Sequence, residues 1–142
     1  MHQSNRMLDD CAELRRLNRD TFRAEAGGTV QIDGKGWRQF LDTVLADEFQ
    51  ICRAIPGTPQ QRQGKEAMLA WIEAHPSAGE PREIIAQHEV AWCDENLGVV
   101  TSPIAFMRKE YQNVKIFKKS PRGQWQCIYW QVTQLAAQAC PQ

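Results

Sequence analysis

The dominant hydrophobic period of this chain changes close to Pro81. Ahead of that point apolar residues recur mostly at three- and four-residue steps. Beyond it they alternate. A helix buries a stripe of its surface and a strand buries one face, so the chain is expected to set three N-terminal helices against a C-terminal sheet, an α+β domain.

Met7, Leu8, Cys11, Leu14, Leu17 and Thr21 make the first apolar stripe, which predicts a helix from Ser4 to about Ala26, stopped by Gly27-Gly28. A polar loop follows, Thr29 to Lys35. Trp37, Phe40, Leu41, Val44 and Leu45 make a second, shorter stripe from near Gly36. Asp47 to Ala54 alternates as a strand and ends in the turn Pro56-Gly57-Thr58-Pro59. Gly64 to His75 is a third helix, with Met68, Leu69, Trp71 and Ile72 inward and Pro76 as its stop.

After Pro81 the pattern predicts strands over about Arg82–Cys93, Gly98–Lys109, Gln112–Lys119 and Trp125–Leu135. Asp94-Glu95-Asn96 and Ser120-Pro121-Arg122-Gly123 are turn clusters, so neighbouring strands should form hairpins in a mostly antiparallel sheet. The last strand reads as apolar on both faces, Ile128, Trp130 and Val132 on one and Trp125, Cys127 and Tyr129 on the other. A strand covered on one face only would alternate. Its second face is expected to meet a partner subunit.

Composition bounds the function. The 142 residues suit a single domain, 1–142, with its core over about residues 5–136. Lys plus Arg and Asp plus Glu are both 17, so no basic excess exists to grip nucleic acid. No apolar run reaches the roughly 18 residues of a membrane span, and the N-terminus lacks a signal-peptide core. The five cysteines, Cys11, Cys52, Cys93, Cys127 and Cys140, are odd in number and widely spaced, which predicts reduced thiols in a cytoplasmic protein. The three histidines lack metal-ligand spacing, so neither a metal site nor a cofactor is expected.

Three strings carry a family resemblance. Val44-Leu45-Ala46-Asp47-Glu48-Phe49 resembles the junction after the second helix in the nuclear-transport-factor-2-like (NTF2-like) superfamily, which includes ketosteroid isomerases and SnoaL-like polyketide cyclases. Arg62 to Leu69 is similar to that superfamily's G-[KR]-x-A start of helix three, and Gly123 to Thr133 to its final strand. The resemblance implies a cystatin-like cone: a strongly curved, mostly antiparallel sheet wrapped around three helices, enclosing a pocket, and often dimeric through the outer sheet face. The similarity is to small bacterial members of unknown function.

The isomerase chemistry of that superfamily does not carry over. Its base position falls on Arg53, which cannot accept a proton. The buried acid would fall near Val114, and Gln112–Lys119 contains no acid. The first helix contains no Tyr.

Arg53 shares a strand face with Phe49 and Ile51 and is read as a guanidinium that grips an anion bidentately, as a structural ion pair with Glu66 and Glu73 as candidate partners, or as an arginine near the strand end that reaches solvent. His88 falls on an apolar strand face with Ile84, Ala86, Val90 and Trp92, as a weak candidate acid or base or as a core histidine. Trp130 is the candidate aromatic wall. Arg108, Lys109, Lys115, Lys118, Lys119 and Arg122 read as a solvated basic edge or, alternatively, as a patch for an anionic partner. The expected pocket is therefore Phe49, Ile51, Arg53, His88 and Trp130, taking a small, largely apolar, possibly anionic molecule. The alternatives are a SnoaL- or isomerase-like enzyme using His88, and a protein-interaction module.

Overall fold

The computed structural model describes residues 2–77 and 82–135. Cys140 and its thiol lie outside the described residues. The first helix, α1 (His2–Ala24), buries Leu14, Leu17 and Phe22, and with them the polar Asn18 and Thr21. It ends where Gly27 and Gly28 take φ of 67° and 61°. Gly27 is also required by space. A Cβ there would lie 2.9 Å from Ile72 Cγ2 of the third helix.

The loop after α1 contains a small hairpin, β1 (Gln31–Ile32) with β2 (Lys35–Gly36). Helix α2 (Trp37–Val44) buries Trp37, Phe40, Leu41 and Val44. Leu45 turns extended and opens β3 (Leu45–Ala54), so helix passes into strand with no intervening loop. A strand the alternation did not predict follows, β4 (Gln61–Gly64), paired antiparallel with β3 from Gln50↔Gly64 to Arg53↔Gln61. Helix α3 (Lys65–Ala74) buries Met68, Leu69 and Ile72. Trp71 instead stands at its rim, 36% exposed.

The expected strand Arg82–Cys93 is broken in two. β5 (Glu83–Ile84) and β6 (Val90–Cys93) both pair with β7 (Leu97–Phe106), and a single 3-10 turn, Ala86–His88, bulges out between them. The cause lies on β7. Ile85 N–H donates to the Pro103 carbonyl at 3.0 Å, but Pro103 has no N–H to return. The ladder stops there and resumes at Val90↔Thr101.

β7 and β8 (Lys109–Lys119) join through Met107-Arg108, residues that the expected strand Gly98–Lys109 had included. Both turn residues hold positive φ, 52° and 67°, the conformation that a two-residue hairpin demands. β9 (Trp125–Gln134) completes the sheet, whose order is β4-β3-β9-β8-β7-β5 with β6 also on β7. β3 and β9 are parallel and every other pair is antiparallel.

The two-faced reading of β9 needs correction. The register against β8 shifts between Ile116↔Tyr129 and Phe117↔Cys127, leaving Ile128 as the extra residue of a bulge. The bulge turns Trp125, Cys127 and Trp130 all inward, where each is buried. Tyr129 joins the outer face, where its hydroxyl donates to Gln131 Oε1 at 2.6 Å.

The helices close on the concave face of the sheet. The approach is tight where α1 crosses β7: a Cβ on Gly98 would meet Leu14 Cδ1 at 2.5 Å. Phe22 and Trp130 pack edge to face, ring centroids 5.5 Å apart, at the centre of the cone.

Candidate functional site

β3 carries Arg53 to the open end of the cone, where it lines a cavity of about 330 Å³. β4 and α3 contribute Gln61 and Trp71. β7, β8 and β9 supply Ile104 and Phe106, Tyr111 and Asn113, and Val132. The volume sits at the lower end of the roughly 300–1,000 Å³ typical of small-molecule sites.

Three charges define the cavity. Glu25, in the turn that ends α1, is 7% exposed. Arg82 Nε meets Glu25 Oε1 at 2.9 Å, and Arg53 Nη2 stands 3.8 Å from Glu25 Oε2. The first is a charge-assisted hydrogen bond; the second is too long to be one. Arg53 Nη1 donates to Gln63 Oε1 at 2.6 Å, whereas Nη2 is buried with no hydrogen-bond partner among the described residues. Burial lowers the Arg53 pKa; Glu25 opposes that shift and Arg82 adds to it. The guanidinium nevertheless stays charged at any physiological pH. Two guanidinium groups around one carboxylate leave one positive charge in excess. Aromatic faces support both cations, with Arg53 5.0 Å from the Trp71 centroid and Arg82 4.3 Å from that of Phe106.

The sequence-predicted residues divide. Arg53 lies on the cavity, but its acidic neighbour is Glu25 and not Glu66 or Glu73, which approach Arg38 at 4.0 and 3.8 Å. Phe49 and Ile51 are 1% and 0% exposed and belong to the closed core. Trp130 is also fully buried. It reaches the cavity only through Asn113, whose Oδ1 accepts its Nε1–H at 2.7 Å. His88 is a correction: the 3-10 turn places it exposed, off the apolar strand face on which alternation had set it. Trp92, expected on that same face, is 55% exposed.

The basic edge is corrected as well. Lys118 pairs with Glu48, and Lys119 with Asp10 at 3.1 Å. Lys115 is 0% exposed, inside the cone. Its ammonium donates to Asn18 O at 3.1 Å, Asn18 Oδ1 at 2.9 Å and Thr21 Oγ1 at 2.5 Å. It also sits 3.4 Å from the Phe22 centroid and 4.0 Å from that of Trp130. Burial pushes its pKa down to about 7. Asn18 extends the network, donating to Glu89 Oε2 at 2.7 Å and Ser102 Oγ at 3.2 Å. These groups fill the depth of the cone and leave the cavity at its mouth.

Reading by element missed Glu25, Arg82 and Lys115. For Lys115 a signal existed: strand period two puts it on the face of Phe117, which must point inward. Glu25 and Arg82 fall at the ends of the expected first helix and first C-terminal strand, and the structure places both just outside the regular elements, where periodicity carries no directional information.

A second hollow of about 310 Å³ between α1 and the β8–β9 turn is lined by charges of both signs. There Arg16 pairs with Glu13 at 2.7 Å and Asp33 at 3.3 Å. Among the described residues no group of three or more His, Cys, Asp or Glu side chains could hold a metal ion, and no helix is long and apolar enough to cross a membrane.

No family model matches the chain, and no curated protein does. Solved structures do. An NTF2-like protein of unknown function from Silicibacter pomeroyi is similar with a TM-score of 0.69 at 12% identity, over 89% of this chain and 97% of that one. An NTF2-like protein with a cystatin-like fold from Novosphingobium aromaticivorans gives 0.66 at 16% identity, over 96% and 88%. A third, an NTF2-like protein of unknown function from Pseudomonas putida, gives 0.65 at 16% identity, over 89% and 87%. Three helices enclosed by this mostly antiparallel, curved sheet make the chain's fold NTF2-like, of the cystatin-like kind.

Proposed function

We propose that the cavity at the mouth of the cone binds a small, largely apolar molecule through a carboxylate. The observation that carries this reading is the Arg53 guanidinium on the cavity, whose buried Nη2 has no hydrogen-bond partner among the described residues. An unsatisfied buried donor costs about 1–3 kcal/mol, and more when it is charged. A carboxylate at Nη2 relieves that cost and neutralises the excess charge of Arg53, Arg82 and Glu25. Ile104, Phe106, Val132 and Trp71 offer apolar contact to the rest of the ligand.

Titration calorimetry with short-chain and aromatic monocarboxylates, each against its primary amide, tests the reading. The carboxylates are expected to bind and the amides not, and Arg53→Met should lower affinity about 10- to 100-fold. Equal binding of acid and amide would sink it.

The enzyme alternative that used His88 finds no support in the geometry, because that side chain is exposed away from the cavity. Pairing through the outer sheet face remains part of the proposal. Val99, Val114, Ile116 and Tyr129 lie there half-buried beside the exposed Trp92. Sedimentation analysis should find a dimer that Ile116→Lys dissociates; a monomer at every concentration would remove this part.

A further inference from the structure

Cys11 and Cys93 stand 82 residues apart in the chain, with their sulfurs 3.5 Å from each other. Cys11 lies on α1 and Cys93 ends β6. Both are half-buried, whereas Cys52 and Cys127 are closed in the core. A partner other than each other barely holds them: Cys11 Sγ is 3.8 Å from Ala91 O, and Cys93 Sγ is 3.6 Å from Met7 O. A disulfide bond spans about 2.05 Å, so the sulfurs must close by roughly 1.5 Å. The local structure permits this. β6 is a four-residue strand paired on one side only, and it runs directly into the turn at Asp94.

We infer that Cys11 and Cys93 are a thiol pair that a low-molecular-weight disulfide oxidises reversibly, stapling α1 to β6. The step balances by exchange. One thiolate attacks the small disulfide and releases one small thiolate. The second cysteine thiolate then attacks the mixed disulfide, forms the Cys11–Cys93 bond and releases the other. Two protons pass from the protein thiols to the two released thiolates or to solvent. The small disulfide is reduced and the protein pair oxidised.

Burial and the neighbouring Cys11 push the Cys93 thiol up to about 11, with Lys119 opposing. The Cys93 thiolate is therefore scarce at neutral pH, and its exchange runs faster in mildly alkaline buffer. The closed loop holds the part of α1 after Cys11 and all of α2 and α3, and Glu25 lies within it. Closing a loop of this length raises Tm by on the order of 10 °C.

The test uses the full chain, incubated with oxidised glutathione in mildly alkaline buffer and read by intact mass, peptide mapping and thermal unfolding. The expected result is a mass lower by two hydrogens, a Cys11–Cys93 crosslinked peptide, and a higher Tm that dithiothreitol reverses. Cys11→Ser and Cys93→Ser should each abolish the crosslink and the Tm gain, and Cys140→Ser should keep both. If one of the first two variants does not fold, the other serves. Stable glutathione adducts on Cys11 or Cys93 without a crosslink would overturn the inference. So would a crosslink through Cys140, or a crosslink that leaves Tm unchanged.

Discussion

Burying the Lys115 ammonium inside the cone carries a desolvation cost, and replacing the lysine by methionine exposes how large that cost is. Methionine keeps the length and apolar stem of the lysine and removes its charge. Burial takes the lysine pKa from its ordinary 10.5 down to about 7. At 1.36 kcal/mol per pH unit this corresponds to on the order of 5 kcal/mol of differential free energy between the two protonation states. The sign follows from proton counting. Between about pH 7 and 10.5 the unfolded chain holds the proton and the folded chain has lost it, so stability rises with pH across that window. Below about 7 both states are charged and the whole desolvation cost is present. Above 10.5 both are neutral and the cost is gone.

Against this stand three hydrogen bonds to Asn18 and Thr21 and contact with two aromatic faces, which the substitution forfeits. Orphaned acceptors cost about 1–3 kcal/mol. Lys115→Met should therefore match or exceed the parent in stability near pH 6 and fall behind it near pH 10. The two proteins are compared by urea unfolding across that range, and their difference is plotted against pH. Subtraction removes groups that titrate alike in both proteins; Cys127, whose thiol burial pushes up to about 12, interacts with the ammonium and stays in the difference. Glu25, Glu89 and Arg82 also act on the ammonium, so the amplitude can be smaller than the full figure. A difference that stays flat with pH would refute the reasoning, because it would mean the lysine titrates alike in both states.

Other substitutions follow from local geometry. Met107→Asn with Arg108→Gly places residues tolerant of positive φ in the β7–β8 turn and should add about 1–2 kcal/mol in urea unfolding. Gly27→Ala meets both a positive φ and a Cβ 2.9 Å from Ile72 Cγ2, so it should cost about 2 kcal/mol or more and lower Tm. Glu25→Ala leaves Arg53 and Arg82 buried without their carboxylate. It should destabilise by about 3–5 kcal/mol, and millimolar acetate or benzoate should restore part of the lost Tm.

Much of the architecture was legible in the sequence because it depends on local periodicity. The stripes through Leu14 and Leu17, Phe40 and Leu41, and Met68, Leu69 and Ile72 each mark a helix that exists. The change to period two marks the sheet. β4 was not legible, since Gln61 to Gly64 is a polar edge whose only reason to be extended is the hydrogen bonds β3 offers. The break in the expected Arg82–Cys93 strand was not legible either. It is imposed by the missing N–H of Pro103, a residue on another strand.

The candidate site divides in the same way. Arg53 stood out because an arginine on a strand shared with Phe49 and Ile51 conflicts with burial. Its carboxylate and its fellow guanidinium are brought to it from the end of α1 and the entry to β5, 28 and 29 residues away along the chain respectively. By itself the sequence determined the helices, most of the strands and an arginine on the strand of Phe49 and Ile51. Tertiary structure decided that Glu25 and Arg82 surround that cation, that Lys115 rather than a ligand occupies the depth of the cone, and that His88 is exposed. Periodicity records which way a side chain points relative to its own element. What it meets there depends on bulges, missing donors and register, which are settled only when the strands pair.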